Sequence, residues 1–306
     1  MFGARVTAST TLQHDALPFS GPDGFVDAAV NVVRRALERG AVPVVLATPQ
    51  QLADVRAALG APAREVVGFD MSVDGRNPAR LLPALQRFLD DHPDRALSCV
   101  GEPVRCDDPA PVVREVALHE LLLGLPAFHS WNCRLTCAYD AEALPADVVA
   151  MIEWTHSRAT SGDPVGQVER ARAESLPPRP TSSDELGVDR TTLSALRGFV
   201  QHRAEKAGLD DERVDDLVYA VNEAVTNSIC HGEGRARVSF WTEENSVVCE
   251  VRDRGWIRDP LAGRVAPRQD MVKGRGLWLV NQLCDLVQLR SSSAGTTLRL
   301  HVDAPH

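Results

Sequence analysis

Excess positive charge is the first thing this chain lacks. Its 306 residues carry 33 Lys and Arg against 42 Asp and Glu, a formal charge of -9. A protein that grips a phosphate backbone or an anionic membrane needs the opposite balance, clustered on one face. Direct nucleic-acid and membrane binding are therefore set aside, and the expected partners are proteins and nucleotides. Long apolar runs are missing as well: none approaches the ~18 residues that cross a bilayer. The opening Met-Phe-Gly-Ala-Arg has no signal-peptide core, so a cytoplasmic location is expected. Cysteine is sparse, with seven residues scattered from Cys99 to Cys284. That number and spacing exclude the dense disulfide framework of a small secreted fold, and reduced thiols are expected. Cys133 and Cys137 are spaced like a ligand pair, but they lie in a strand pattern, where four residues span about 13 Å. One metal is not easily reached by both, and burial as small apolar residues is the expectation. There is no Gly-x-x-x-x-Gly-Lys phosphate loop, no internal repeat and no extended low-complexity tract.

What is present is the composition of a soluble globular protein, 44% hydrophobic and 25% charged, with length enough for two domains that each bury a core. Helical segments near 24–40, 50–59, 78–89 and 112–123, and one from Pro145, alternate with short apolar strands at 42–47, 66–69, 97–100 and 133–138. Such alternation predicts an α/β N-terminal domain with a mainly parallel sheet covered on both faces. After Trp154 the composition turns to Ser, Pro, Arg and Glu, including Leu-Pro-Pro-Arg-Pro-Thr-Ser-Ser at 176–183. Residues 157–184 are read as a Pro-rich linker, with a short helix possible over 167–175. The rest differs in kind: helices at 191–207 and 211–230, hairpin-spaced strands at 236–241 and 247–252, a glycine-bearing loop, a helix at 277–284 and strands at 286–290 and 297–302. Helices segregated from such strands predict a C-terminal α+β two-layer sandwich over 185–306.

Within the long second helix Glu223, Asn227 and His231 recur every four residues and share one face. Leu217, Val218, Val221, Val225 and Ile229 form the apolar stripe that packs on the sheet, which turns the polar stripe toward a cleft. A polar helix face alone is ordinarily just solvated. Its company makes the difference: Asp253-Arg254-Gly255 follows an apolar strand, Gly274-Arg275-Gly276-Leu277 opens a helix, and Gly295-Thr296-Thr297 enters the last strand. The Asp carboxylate can accept from a base amino group, the glycines admit close backbone approach, and free amides at a helix start can cradle phosphate oxygens. The stretch from Trp256 to Lys273 reads as a mobile lid, and Arg264, Arg268, Lys273 and Arg275 are candidates to touch phosphate.

These residues resemble the GHKL ATPases with their Bergerat fold, and more closely the anti-sigma-factor serine kinases of the RsbW type, over about the last 120 residues. Asn222-Glu223-Ala224-Val225-Thr226-Asn227 resembles that group's N box, and Asp253–Gly255 and Gly274–Leu279 its two glycine boxes. The resemblance implies ATP and Mg²⁺ as cofactors, with Asn227 holding Mg²⁺ against the triphosphate. It implies further that Asp253 binds the adenine amino group, that Thr296 supports that contact, and that Glu223 acts as general base. Gly255, Gly274, Arg275, Gly276 and Leu277 join the binding set. Implied partners are a sigma factor and a STAS-type anti-sigma antagonist phosphorylated on serine or threonine, and relatives often form homodimers. Two alternatives stay open: a sigma-factor-binding module that holds nucleotide without transfer, and a sensor of the histidine-kinase kind. For the latter, His119-Glu120 is followed by Leu-Leu-Leu-Gly-Leu-Pro, without the polar positions expected after a phosphoacceptor, and His202 has no acidic neighbour.

Residues 1–156 resemble the MEDS sensory domain of DcmR-like regulators, through Gln13-His14-Asp15-Ala16-Leu17-Pro18-Phe19, Gly75-Arg76-Asn77-Pro78, Gly101-Glu102-Pro103-Val104 and Cys137-Ala138-Tyr139-Asp140. The resemblance implies control of the kinase by a sensed signal. Asp70, Glu102 and Asp140 each come at the carboxyl end of a predicted parallel strand, the edge along which open α/β sheets bind ligands. With His14 they are candidate sensory ligands, and helix capping or wet loops are the plainer roles for such carboxylates.

Overall fold

The computed structural model describes residues 12–73, 75–158, 162–243, 246–267 and 274–304. The chain divides into two compact units, Met1–Gly75 with Ala84–Pro164 and Arg76–Pro83 with Val165–His306.

In the first unit β1 (Gln13–Phe19), α1 (Gly24–Glu38), β2 (Val42–Ala47), α2 (Pro49–Leu59), β3 (Val67–Asp70), α3 (Leu81–Asp91), β4 (Leu97–Gly101), α4 (Ala110–Leu123), β5 (Cys133–Asp140) and α5 (Ala146–Arg158) follow in order. The five strands form one sheet in the order β1-β5-β4-β2-β3, every pairing parallel. Parallel strands need crossovers, and the helices serve as these while covering both faces. Strand β2, Val-Pro-Val-Val-Leu-Ala, lies between β4 and β3 and is buried at every position. One face packs Phe25, Ala29 and Val33 of α1 against Val45, Val100 and Ala138, and another cluster joins Val116 of α4 and Ile152 of α5 to Tyr139. Helix α2 starts on a capping box: Thr48 accepts from the Gln51 amide at 3.3 Å, and the Gln51 side chain accepts from the Thr48 amide at 3.0 Å. Those reciprocal bonds satisfy two otherwise orphaned donors, and Pro49 begins the helix where its missing N–H costs nothing. Strand β5 continues through Tyr139 and Asp140, beyond the Ala138 expected from the apolar run.

The second unit contains α6 (Pro164–Ala173), β6 (Asp184–Asp189), α7 (Leu193–Lys206), α8 (Asp211–His231), β7 (Arg235–Thr242), β8 (Ser246–Asp253), α9 (Gly276–Leu283), β9 (Leu286–Ser292) and β10 (Gly295–Asp303). Its sheet runs β6-β7-β8-β10-β9, antiparallel throughout. Leu196 and Val200 of α7, Leu217, Val221 and Val225 of α8, and Val280 of α9 pack on Val238, Cys249, Val251, Leu298 and Leu300 in one core. This is the expected two-layer sandwich. Helix α8 opens on Asp210, whose carboxylate accepts from the Arg213 amide at 2.9 Å, with Asp211 and Glu212 following at the positive end of the helix dipole. Within the predicted linker α6 overlaps the short helix expected over 167–175, and the division between units falls at Pro164 and Val165. Buried Arg172 of α6 donates to the carbonyl of Ile257 at 3.1 Å, which ties this stretch to the second unit. Arg80 of the same unit donates to the carbonyls of Asn281, Gln282 and Cys284, each at 2.8 Å. These are carbonyls that the end of α9 leaves without an intrahelical donor.

Candidate nucleotide site

The site builds from α8. Its apolar stripe is buried as the spacing requires, and Glu223 and Asn227 stay partly open while His231 is exposed. One turn of helix separates Glu223 from Asn227, so both are carried on a rigid element rather than on loops.

Asp253, the last residue of β8, is the best-fixed group. Its Oδ2 lies 2.6 Å from the Ser228 hydroxyl of α8, and its Oδ1 accepts from the Gly255 amide at 2.6 Å. Ser228 also lies 3.1 Å from the carbonyl of Ala224, but its single proton is better placed on the shorter, charged contact. Gly255 is required here by crowding: a Cβ would come 2.8 Å from the carbonyl of His231 and 2.9 Å from Asp253 Oδ1. Across the sheet Thr296 pairs in register with Asp253 on one side and with Ser291 on the other. A chain of hydrogen bonds results: the Ile257 amide donates to Ser291 Oγ at 2.8 Å, the hydroxyls of Ser291 and Thr296 lie 2.7 Å apart, and Thr296 donates to the Gly255 carbonyl at 2.9 Å. Each donor and acceptor is used once, and the chain holds the loop after β8 to the final hairpin. Ser228 and Ser291 are absent from the sequence-derived set. Ser228 lay in plain view, one residue past Asn227. Ser291 could be found only through the β9–β10 register.

Gly274, Arg275, Gly276 and Leu277 form the entry of α9. Arg275 occupies its N-cap without a side-chain cap bond, so the first amides of the helix are not satisfied in that way. A Cβ on Gly276 would stand 2.8 Å from Glu223 Oε2, so the entry of α9 lies directly against that carboxylate. Arg275 is exposed, whereas Arg264 is buried and is not presented to a ligand from the surface. Of the expected lid, residues 256–267 are irregular, and the Gly263 carbonyl accepts from Asn281 of α9 at 2.9 Å. Arg268 and Lys273 lie outside the described residues. His119 is buried in α4, whereas His202 is exposed on α7.

The strand-end carboxylates of the first unit have local partners. Asp70 accepts from the amide and hydroxyl of Ser72 at 2.8 and 2.6 Å, and Asp140 from the amides of Glu142 and Ala143, each at 3.0 Å. These are turn-forming roles. Glu102 accepts from Gln51 at 2.8 Å and has Arg105 at 3.8 Å. Burial raises its carboxyl above the usual range, against the pull of Gln51 and Arg105. His14 does not join them. It sits at the opposite end of β1, in register with Leu135, because β1 runs parallel to β5 and only its Phe19 end reaches Asp140.

Residues 188–302 match the family model of a histidine kinase-like ATPase domain, HATPase_c_2. Residues 13–157 match MEDS, the methanogen/methylotroph, DcmR sensory domain. The serine-protein kinase RsbW of Oceanobacillus iheyensis is 29% identical over 126 residues, covering 37% of this chain and 75% of the relative. That of Bacillus pumilus is 28% identical over 133 residues, covering 38% and 78%. Among solved structures, the RsbU and RsbW domains of a Mycobacterium tuberculosis protein align at 18% identity and a TM-score of 0.30, over 52% of this chain and 49% of that one. The Acinetobacter baumannii histidine kinase AdeS aligns at 10% identity and a TM-score of 0.24, over 52% and 83%. No helix among the described residues is long and apolar enough to cross a membrane.

Proposed function

We infer the function from a chain that joins a MEDS domain, residues 13–157, to a histidine kinase-like ATPase domain, residues 188–302: it is an anti-sigma regulatory factor that transfers phosphate from ATP to a serine or threonine of a protein antagonist. The observation that carries this reading is the meeting of four separate sequence segments: α8, the end of β8, the entry of α9 and the start of β10. The Asp253 carboxylate is held by Ser228 and Gly255, Thr296 supports the Gly255 carbonyl, and Glu223 faces the Gly276 turn.

The residues suit a nucleotide. Ser228 and the Gly255 amide use one lone pair on each Asp253 oxygen, and a carboxylate has capacity for further donors such as an adenine amino group. The bare backbone at Gly255 and Gly276 leaves the approach to both carboxylates clear. Asn227 and the amides opening α9 would hold Mg²⁺ and the phosphates. The bound pair would supply an electrophilic phosphorus and neutralise its oxygens. Glu223 then takes the role of base toward the incoming hydroxyl, being fixed on a helix and next to the phosphate-binding turn. Gly274, Arg275 and Leu277 complete the turn. A sigma factor is the proposed client and a STAS-type protein the proposed phosphoacceptor, in line with the RsbW serine-protein kinases that the C-terminal region is similar to. Regulation by a signal at the MEDS domain belongs to the same proposal. A histidine-kinase reading through His119 is disfavoured, because an acceptor at 3% exposure is closed to a second domain.

Calorimetry on the full chain tests the nucleotide part. Parent protein binds ATP with Mg²⁺, and Asp253→Asn, with a donor replacing one acceptor oxygen, loses that binding. Equal affinity in a folded Asp253→Asn protein would remove Asp253 from the site.

A further inference from the structure

One cluster lies outside the nucleotide chemistry altogether. His14 of β1, Glu120 of α4, Cys137 of β5 and His156 of α5 bring four ligand atoms within 4.8 Å of one another. The parallel β1–β5 register puts His14 opposite Leu135 and Ala16 opposite Cys137, so the two ligands stand two positions apart on one sheet face. Helices α4 and α5 cover that face and each add one residue. His14 Nε2 is 2.8 Å from Glu120 Oε2 and 3.2 Å from Cys137 Sγ, His156 Nε2 is 3.3 Å from Glu120 Oε2, and Cys137 Sγ is 3.6 Å from Glu120 Oε1. The side chains of His14, Glu120 and His156 are only 3–6% exposed.

Three features distinguish this from an ordinary buried polar network. Both Cys137 and Glu120 approach the same nitrogen of His14, so the arrangement is not a relay in which a histidine takes a proton on one nitrogen and passes orientation through the other. His156 Nε2 is buried and, despite its distance to Glu120, forms no hydrogen bond of acceptable geometry, a cost that buried polar groups rarely carry without a partner. The other nitrogen of that ring, Nδ1, lies 2.8 Å from the carbonyl of Ile152. A proton on Nδ1 satisfies that carbonyl and leaves the Nε2 lone pair facing the cluster, the outer-shell arrangement of metal-binding histidines. His14 lacks such support, its Nδ1 being buried with no hydrogen-bond partner.

We propose that His14, Glu120, Cys137 and His156 form a binding site for a divalent d-block cation of the zinc class. Bonds of about 2.0–2.3 Å to nitrogen, oxygen and sulfur place the corners of a tetrahedron roughly 3.3–3.8 Å apart. Through Glu120 Oε2 the separations of 2.8, 3.2, 3.3 and 3.7 Å lie within about half an ångström of these edges, and since all four atoms fall within 4.8 Å of one another the widest pair closes by about 1 Å as the ion binds. Two imidazoles, a thiolate and a carboxylate suit such an ion rather than Mg²⁺ or Ca²⁺, which take oxygen ligands. The four side chains fill its coordination, and the thiol proton of Cys137 leaves to solvent as the ion binds. Cys133 stands apart, with its sulfur 3.8 Å from that of Cys99. The site therefore does not use the cysteine pair suggested by their spacing.

The test uses the full chain, stripped with a chelator and titrated with Co²⁺, and with Zn²⁺ against a chromophoric competitor. The expected result is one equivalent bound, with the intense visible bands of tetrahedral Co²⁺ and a thiolate-to-cobalt charge-transfer band in the near ultraviolet. Cys137→Ser loses the charge-transfer band, His156→Gln weakens Zn²⁺ binding by more than about 100-fold, and Cys106→Ser, an exposed thiol outside the cluster, changes neither. Circular dichroism establishes that each variant is folded. The parent spectrum decides if a variant does not fold: weak octahedral absorption, or no thiolate band, overturns the site. A charge-transfer band that survives in Cys137→Ser overturns it equally.

Discussion

The Ser228 hydroxyl lies 2.6 Å from Oδ2 of Asp253, joining the helix that carries Glu223 and Asn227 to the end of β8. Ser228 is buried at 5% exposure, so water does not readily replace it. Ser228→Ala is expected to leave Asp253 without one charge-assisted bond, costing about 1.5–3 kcal/mol, or up to roughly 10- to 150-fold in ATP affinity. Ser228→Thr, which keeps the hydroxyl, is expected to lose less. Calorimetric titration of the two variants checks this, and equal affinities for Ser228→Ala and parent would mean that Asp253 needs no support from α8.

Gly276 makes a different prediction. A methyl group there would stand 2.8 Å from Glu223 Oε2, the far end of a flexible side chain that can swing away. Gly276→Ala should therefore fold normally, with stability within about 1 kcal/mol of the parent, yet hold Glu223 out of place. Transfer to a protein acceptor is expected to fall by at least ~10-fold, with a smaller change in ATP affinity. Side-by-side urea melts and phosphate-transfer rates read the two effects. A variant that transfers at the parent rate would detach Glu223 from the α9 entry.

His301 of β10 gives the second unit a dependence on pH. Burial depresses its pKa to about 4, with Arg299 adding to the shift and Glu243 opposing it. The unfolded chain takes up a proton near 6.5, and the folded one resists it. Stability from this group is therefore complete above about 6.5 and falls as pH drops toward 4. Between pH 7.5 and 5 the loss is about 2 kcal/mol. His301→Leu is expected to flatten that part of the profile in urea unfolding. A parent and variant that lose equal stability over this range would assign the acid sensitivity elsewhere.

Much of this architecture was legible in the sequence because its signals are local. The apolar stripe of α8 and the apolar β2 state their own burial, and the Asp253 and Gly274–Leu277 segments are short runs at the ends of periodic elements. The strands that escaped notice, β1 and β6, are both edge strands. Gln-His-Asp-Ala-Leu-Pro-Phe and Asp-Glu-Leu-Gly-Val-Asp are too polar to resemble core strands, and proline at Pro18 is tolerated on an edge. In the linker the expected short helix overlaps α6, but contacts such as Arg172 with Ile257 are long-range and leave no mark in composition. The same holds for His14, Glu120, Cys137 and His156, which come from four elements and meet only through strand order and helix packing.

Phosphate transfer by Glu223→Gln decides whether this helix-borne carboxylate is the base of a protein kinase. The antagonist is first captured with the full chain from the native cell and identified by mass spectrometry, then supplied with ATP and Mg²⁺ labelled at the γ-phosphate. Glu223→Gln is expected to bind ATP as the parent does and to lose transfer to serine or threonine by ~10²-fold or more, the usual contribution of a positioned base. Equal transfer rates for parent and Glu223→Gln, or the absence of any transfer by the parent to a partner it holds, would contradict it.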